Sequence, residues 1–596
     1  MKIVLSTLNA KFIHSSLALR YLRSYAEATF PDIELVEYTI NDITMNMVGD
    51  IYKRQPDLLA FSCYIWNIRE TLEVVRNLKK VMPDLPIILG GPEVSYDTDY
   101  WLREHPYVDV IVKGEGEQTF LELCQVYAKA KETGEPAALS TVAGIAYREE
   151  ESVRLTFPRM QIEDLNTIPS PYENHLDELL NRVVYFEASR GCPFSCQYCL
   201  SSIESGVRYF DIERVKQDLK RLVDYGIKTV KFVDRTFNIH KKYAMEVFQF
   251  LIENHNGTVF QFEITADILK PDVVDFLAEN APPGIFRFEI GVQSTNDETN
   301  RLVHRRQNFE KLSYTVLKIK ESGKIDQHLD LIAGLPEEDY SSFRNTFNEV
   351  FALRPEELQL GFLKMLRGTG VRARAADHGY IFQDESPYEI LGNNVLSFGD
   401  IQRIKRTEDI LEKFWNAHRL DVTMEWVITR HFETPFDFFQ EFGDYWEEKG
   451  WNRFGHQLED LFLRMKNFLG NRQTEKLEHV ISLMKFDFLR NQKHRPRKIW
   501  WDEVLEKQEA IAVFNQLKEK LEQLREDFAH HSQNEKDYFK HTMVTNVSFD
   551  IEQYLKTGEV VEGNFALIVY FPYQENQENT FTVVRNESLT QLVTPN

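Results

Sequence analysis

Ser189-Arg190-Gly191-Cys192-Pro193-Phe194-Ser195-Cys196-Gln197-Tyr198-Cys199 carries three of the chain's five cysteines within eight residues, at C-x3-C-x2-C spacing. Thiolates this close together suit a single metal centre. A cubane iron–sulfur cluster needs four ligands, so three protein thiolates leave one iron open to a small molecule. Structural zinc would need a fourth protein ligand, and His240 and His255 stand at no familiar finger spacing from the triad. A disulfide pair with an odd thiol suits a secreted protein. Five cysteines in 596 residues, with no charged-then-apolar amino terminus, point instead to a reducing cytoplasm. The three cysteines are therefore read as ligands of a cluster with an open, catalytic position.

Outward from this stretch, between Val183 and about Leu366, short apolar runs alternate with helix-period segments. The runs Val183–Ala188, Thr229–Asp234, Val259–Thr265, Phe286–Val292, His328–Ala333 and Glu357–Phe362 predict six strands. Six β–α units predict a partial barrel, and barrels of this kind do their chemistry at the carboxyl ends of the strands. The polar residues fall there. Cys192, Cys196 and Cys199 follow the first strand, Asp234-Arg235-Thr236-Phe237-Asn238 the second, and Glu263 with Thr265 the third. Glu289 through Gln293-Ser294 belongs to the fourth and Asp330 to Pro336 to the fifth.

The first 130 residues also alternate. Apolar runs at Lys2–Ser6, Glu34–Tyr38, Leu58–Cys63, Ile87–Gly90 and Asp109–Lys113 are separated by helix-period stretches such as Ser16–Ala28 and Asn67–Val81. This predicts an α/β domain with a doubly wound parallel sheet over residues 1–135. Ligands of such sheets bind outside the carboxyl ends of the strands, here Asn9 to Ser16, Ser62-Cys63-Tyr64, Gly90-Gly91-Pro92 and Gly114-Glu115-Gly116-Glu117. Residues 136–181 read as a hairpin (Gly144–Glu149 and Val153–Phe157) and a proline-stiffened linker, Leu165 to Tyr172. The barrel takes residues 182–370. Residues 371–596 predict a mostly helical domain, with helices over Glu408–Phe414, Gln457–Leu469, Gln473–Leu489 and Gln508–Phe528. Terminal strands are expected around Val544–Asp550, Gly563–Phe571 and Phe581–Val584. Its recurring aromatics are read as core.

The cysteine spacing with its Gly-Cys-Pro lead-in, the segment Phe286-Arg287-Phe288-Glu289-Ile290-Gly291-Val292-Gln293-Ser294 and the segment Asp330 to Pro336 resemble the radical S-adenosylmethionine (SAM) core. The first domain resembles the cobalamin-binding domain of one large class of these enzymes in Ser62, Gly90-Gly91 and the Gly-Glu-Gly-Glu loop. The resemblance implies a [4Fe-4S] cluster on Cys192, Cys196 and Cys199, with S-adenosyl-L-methionine on the open iron. It also implies Tyr198 near the adenine, Asp234 or its neighbours at the methionine amino group, and Gln293 or Glu289 toward the ribose or substrate. Ser62, Gly90, Gly91 and Glu115 would lie against cobalamin. The Asp-x-His-x-x-Gly loop that supplies a cobalt ligand elsewhere is absent, and the first loop carries only Phe12-Ile13-His14-Ser15-Ser16.

The implied activity is methylation of an unactivated carbon in a small-molecule or peptide substrate. An electron donor such as flavodoxin or ferredoxin would serve it. The alternatives are radical rearrangement or cyclisation, methylthiotransferase-like modification, and a cluster- or cobalamin-based sensor. Methylthiotransferases carry three further cysteines in their first domain and end in a basic barrel, whereas only Cys63 and Cys124 stand in the first domain here and no basic terminal barrel follows. A net charge of -23 disfavours broad attraction to nucleic acid phosphates. No run is long and apolar enough to cross a bilayer, and the expected location is cytoplasmic.

Overall fold

The computed structural model describes residues 1–150, 152–203, 206–502, 540–572 and 578–585. These residues form two compact units, Met1–Ile401 and Gln402–Asn596.

The first unit begins with a seven-stranded sheet. Its parallel part comprises β1 (Ile3–Asn9), β2 (Ile33–Thr39), β3 (Leu58–Ser62), β4 (Ile87–Gly90) and β5 (Val110–Val112), extended by the antiparallel hairpin β6 (Ile145–Glu149) and β7 (Ser152–Leu155). β1 is buried at all seven positions, as a parallel strand covered on both faces must be. Helices α2 (Thr44–Arg54), α3 (Ile68–Val81) and α4 (Thr98–Glu104) cover one face, where Met47, Ile51, Val74, Val75, Leu78 and Trp101 pack on the strands. Helices α1 (Leu17–Ala26) and α5 (Glu117–Thr133) cover the other with Leu19, Phe120 and Leu123. The strand order β2-β1-β3-β4-β5 reverses direction between β1 and β3. The crevice at such a reversal is the ligand position of a doubly wound sheet.

The barrel strands are β8 (Val183–Phe186), β11 (Thr229–Phe232), β12 (Val259–Ile264), β13 (Phe286–Gln293), β14 (Ile325–Ala333) and β15 (Glu357–Phe362). All are parallel, in the order β15-β14-β13-β12-β11-β8. Alternate residues point outward into a phenylalanine core: Phe186, Phe232, Phe262, Phe286 and Phe288 are all nearly inaccessible. The rings of Phe232 and Phe262 stack at 4.4 Å. Helices α6 (Ile212–Asp224), α7 (Lys241–Asn254), α8 (Pro271–Asn280), α9 (Asp297–Leu302), α10 (Phe309–Ser322) and α11 (Tyr340–Phe351) belong to the connections between the barrel strands. Among the intervening residues are the polar Lys231, Glu263, Arg287, Glu289, His328, Asp330 and Glu357.

One element has no counterpart in the sequence reading. Immediately after β8 the chain forms β9 (Ser189–Cys192), which pairs antiparallel with β10 (Gly206–Tyr209). The cysteine stretch thus starts as a strand. Beyond β15, residues 363–392 fold back onto the barrel through Leu363 N–H to Ala333 O (3.0 Å), Ile390 N–H to Leu363 O (3.1 Å) and the Tyr380 hydroxyl to Gly334 O (2.9 Å). These bonds carry the first unit past residue 370, to Ile401.

The second unit is helical with a three-stranded antiparallel sheet, Thr542–Phe549, Glu562–Tyr570 and Thr580–Arg585. Helices occupy Asp421–His431, Pro435–Glu448, Leu458–Asn471 and Leu477–Arg490, and Leu411–Trp415 forms a π-helical turn. The expected strands and the helices at 457–469 and 473–489 lie close to their predicted positions. The segment Gln508–Phe528 lies outside the described residues. The recurring aromatics are core: Phe438, Phe442 and Trp446 are buried, and Phe442 stacks on Phe468 at 4.5 Å. Helix Leu477–Arg490 is buried along most of its length, and the Asn579 amide closes its carboxyl end on the carbonyls of Leu489 (3.1 Å) and Arg490 (3.0 Å).

Asp487 lies in this helix, 1% exposed, accepting from Thr423 N–H (2.8 Å) and the Thr423 hydroxyl (2.6 Å). Burial pushes its carboxyl up to about 7. Between about pH 4 and that value the folded carboxyl keeps a proton that the unfolded chain releases, so its contribution to stability falls as pH rises and then levels off. Calorimetric scans of wild-type and Asp487→Asn protein between about pH 5 and 8 are expected to converge at low pH. They should separate by on the order of 2 kcal/mol in favour of the variant at high pH. A pH-independent difference would mean that Asp487 ionises normally.

Candidate active site

The cysteine loop is anchored from several sides. Asp234, 1% exposed, accepts from Ala188 N–H at 3.0 Å and from the Ser189 hydroxyl at 2.5 Å, which fixes the turn from β8 into β9. Gly191 has φ +99°, and a Cβ there would stand 2.0 Å from the Gly206 carbonyl, so β9 and β10 approach only because the position lacks a side chain. Farther along, Gln197 N–H donates to Val303 O (2.9 Å), Val371 N–H donates to Gln197 O (2.9 Å), and the Ser202 hydroxyl lies against the carbonyls of Cys196 (2.6 Å) and Cys199 (2.7 Å).

Cys192 and Cys196 are buried and Cys199 is half-buried. Burial raises the Cys192 thiol; the Phe194 N–H opposes this, the charges of Cys199 and Cys196 add to it, and Arg235 lowers it. The three thiols therefore sense one another, although among the described residues no three His, Cys, Asp or Glu side chains stand together as a ready metal site. The donor set within the loop, three cysteines in eight residues with no histidine or carboxylate among them, suits a cluster that keeps one open iron better than a closed zinc site. Tyr198 is buried beside them, its hydroxyl accepting from Arg305 Nη1 at 3.1 Å. The Arg305 guanidinium also reaches the Cys196 thiol. Nothing in the spacing of His304-Arg305-Arg306 marks this cation in the sequence.

The lumen below the loop is lined by paired charges. Lys231 Nζ meets both oxygens of Glu289 at 2.7 Å, Arg287 reaches Glu357 at 2.6 Å and His328 Nδ1 at 3.1 Å, and His328 Nε2 stands 3.2 Å from Asp330. Glu289 is thus in the lumen but committed to Lys231. Gln293 ends β13 at a register shift with φ +70°, and its Oε1 is buried without a hydrogen-bond partner. A strained residue with an orphaned acceptor at a strand end fits a polar ligand group at the mouth. Glu263, held above the usual carboxylate range by burial, and the exposed Arg235 oppose each other electrostatically at the same rim.

The first domain is joined to the edge of the barrel at β8. His14 pairs with Val183 as a β-bridge, Val183 N–H donates to Ile13 O (2.7 Å), and His14 Nδ1 lies 2.8 Å from the Tyr185 hydroxyl. The loop after β1 therefore prolongs the edge of the barrel sheet. Next to it, the loop after β3 carries Tyr64 stacked on the exposed Trp66 at 4.3 Å, and Tyr64 senses Arg235. The Ser62 hydroxyl is buried with no hydrogen bond; the Tyr64 hydroxyl is near but does not complete one. An unsatisfied hydroxyl at the sheet's reversal point suits the polar tail of a bound cofactor.

Four residues expected at the cofactors have other partners or surroundings. Asp234 holds Ala188 and Ser189, as described. Glu115 faces away from the sheet crevice, toward Arg190 and Arg208. Gly91, φ +106°, makes room for Cys63: a Cβ would fall 2.5 Å from the Cys63 carbonyl. Gly90 has only the Val112 side chain nearby, at ordinary contact.

Comparison with known proteins agrees with this geometry. Residues 3–124 match the B12 binding domain, residues 186–350 the Radical SAM superfamily, and residues 376–569 a protein family of unknown function, DUF4080. An uncharacterised methyltransferase of Pyrococcus horikoshii is 32% identical over 240 residues, 39% of this chain and 51% of that protein. The cobalamin-dependent radical SAM methyltransferase TokK of Streptomyces tokunonensis is 26% identical over 323 residues, 49% of this chain and 44% of that protein. The chain thus spans about half the length of the curated relatives it matches. Among solved structures, the cobalamin-dependent SAM radical enzyme OxsB, with aqua-cobalamin and SAM bound, shares the fold at TM-score 0.56 and 15% identity, over 81% of this chain and 78% of that one. TsrM of Kitasatospora setae, with cobalamin and a [4Fe-4S] cluster bound, gives 0.53 at 15% identity, over 65% and 79%.

Asp234→Ala leaves the Ala188 N–H and the Ser189 hydroxyl buried without an acceptor, at a cost of about 2–4 kcal/mol for two such groups. Denaturant unfolding of the iron-free protein is expected to show that loss, with Asp234→Asn intermediate. Wild-type stability in the alanine variant would exclude Asp234 as the anchor of the cysteine strand.

Proposed function

We propose that this chain, which joins a B12-binding domain and a radical SAM domain to a DUF4080 region, is a cobalamin-dependent radical SAM enzyme that methylates an unactivated carbon. One observation carries the reading. The cysteine loop leaves the first barrel strand, β8, and the loop after β1 at the reversal point of the first domain is joined to that same strand through the His14–Val183 bridge and the His14–Tyr185 hydrogen bond. When bound, a [4Fe-4S] cluster with SAM supplies reductive cleavage to methionine and a 5'-deoxyadenosyl radical, and cobalamin supplies a transferable methyl group.

The chain's own residues would position and shield. Cys192, Cys196 and Cys199 would hold three irons, and Tyr198 with Arg305 would cover Cys196 from solvent. Gln293 would offer its unpaired Oε1 to the SAM side of the mouth, and Ser62 its hydroxyl to the cofactor of the first domain. Lys231–Glu289 and Arg287–Glu357 neutralise each other within the lumen, which would keep it polar yet without loose protons. Relatives named as methyltransferases support methyl transfer, and relatives named as anaerobic magnesium-protoporphyrin IX monomethyl ester cyclases support cyclisation as the second reading. The substrate is a small molecule or peptide, and a flavodoxin or ferredoxin would deliver the electron. No described helix is long and apolar enough to cross a membrane.

Anaerobic reconstitution is expected to give about four iron and four sulfide per chain, lost in the Cys192→Ala, Cys196→Ala, Cys199→Ala triple variant. With reductant and SAM the wild-type protein should release 5'-deoxyadenosine. Hydroxocobalamin should co-elute with it on gel filtration. Zinc as the sole bound metal sinks the proposal. Iron and SAM cleavage without cobalamin retention would make it a cobalamin-free radical enzyme.

A further inference from the structure

Arg190 and Arg208 are paired directly across the two-stranded ladder of β9 and β10. Like charges in that position repel, and a two-stranded ribbon has little stability of its own. The pair tolerates the arrangement because one carboxylate from the first domain lies between them. Glu115 accepts from Arg208 Nη1 (3.1 Å) and Nη2 (2.8 Å) and from Arg190 Nη1 (3.3 Å), and its Oε2 also accepts from Ile162 N–H (2.7 Å). Arg190 has two further carboxylates, Glu117 at 2.6 Å and Glu187 at 2.9 Å, and lies over the Tyr21 ring. Among the described residues Glu115 is the only carboxylate that pairs with Arg208. The guanidinium of Arg190 and both first-domain carboxylates are largely buried, so the charges depend on one another.

The position of this cluster matters. Cys192 ends β9, two residues beyond Arg190. Glu115 and Glu117 sit in the loop that ends β5 and opens α5, on the carboxyl edge of the sheet where its ligand binds. The Gly-Glu-Gly-Glu loop therefore belongs to the carboxyl edge of the first-domain sheet and grips the cysteine strand by its side chains.

We propose that Glu115 is a positioning residue for the cysteine loop, and that through it cofactor binding on the first domain and cluster assembly on Cys192, Cys196 and Cys199 are thermodynamically linked. This rests on the reading of those cysteines as cluster ligands. Linkage is reciprocal: if cobalamin orders the loop, it favours the geometry that captures iron, and a loaded cluster tightens cobalamin by the same factor.

The test uses the full-length protein, handled anaerobically, with hydroxocobalamin as probe. In the wild type, cobalamin affinity is expected to differ by about five-fold or more between iron-free and cluster-loaded protein. The midpoint potential of the cluster, followed by electron paramagnetic resonance, should shift on adding cobalamin. In Glu115→Gln the affinity ratio falls to near one, the potential no longer responds, and iron loads more slowly. Glu115→Asp, which keeps the charge, retains part of both. In Glu115→Gln/Arg208→Gln, iron loading recovers, because the opposed cations no longer repel. Hydrogen exchange on wild-type protein needs no variant: cobalamin added to iron-free protein slows exchange across residues 189–192 and 206–209. Unchanged exchange there, or wild-type linkage in Glu115→Gln, overturns the inference alone. A wild-type protein that takes up no iron–sulfur cluster overturns this inference and the proposed function together.

Discussion

Two arginines held face to face by a carboxylate from another domain set the architecture of the first unit. Arg190 and Arg208 would drive β9 and β10 apart if the strands stood alone. Glu115 and Glu117 convert that repulsion into an attraction for the amino-terminal sheet. The strand that leads into the cysteines is thus held from both sides, by Asp234 of the barrel and by the carboxylates of the first domain. The two domains thus act as one unit for a local, electrostatic reason, reinforced where the loop after β1 adds a bridge at the edge of β8.

The barrel makes the complementary choice in its lumen. Strand alternation sends phenylalanines outward and Lys231, Arg287, Glu289, His328, Asp330 and Glu357 inward. An unpaired charge in such a space would be costly, so most are matched in short ion pairs that span the lumen between strands two apart in the sheet. The matched floor leaves the rim as the reactive region. There Gln293 has an orphaned acceptor on a strained backbone, and Arg235 and Glu263 face each other without a direct bond.

Most of the fold was legible because its signals are local. The apolar periods of β1 and β3, and of the six barrel strands, follow from covering a parallel sheet on both faces or on one. The cysteine triad was legible for the same reason, since its spacing is itself the signal. What escaped depends on distant partners. The ladder of β9 and β10 is four residues long on each side and is held by Glu115, so no window of sequence around Arg190 contains its cause. Asp234 and Glu115 read as ligand groups from their strand-end positions, and the partners they have within the protein, Ala188 and Ser189 for one and Arg190 and Arg208 for the other, carry no local signal. Arg305 was invisible, since a cation between two exposed charged neighbours reads as surface until the fold buries it against Tyr198. Residues 363–392 carry no clear period, yet hydrogen bonds from their backbone tie them to the barrel.

The topology also explains which part of the first domain faces the barrel. The order β2-β1-β3-β4-β5 opens its crevice between the loops after β1 and β3. The first of these is committed to backbone pairing with β8, and His14 to Tyr185, which removes His14 from the set of freely presented ligands. The second keeps an unsatisfied Ser62 hydroxyl and presents Tyr64 stacked on the exposed Trp66 toward Arg235. By consuming one loop to join the domains, the fold turns the other toward the barrel mouth. The loop after β1 is thereby spent on the barrel edge, and the loop after β3 is left as the one of the two that keeps an unpaired polar group at the reversal point.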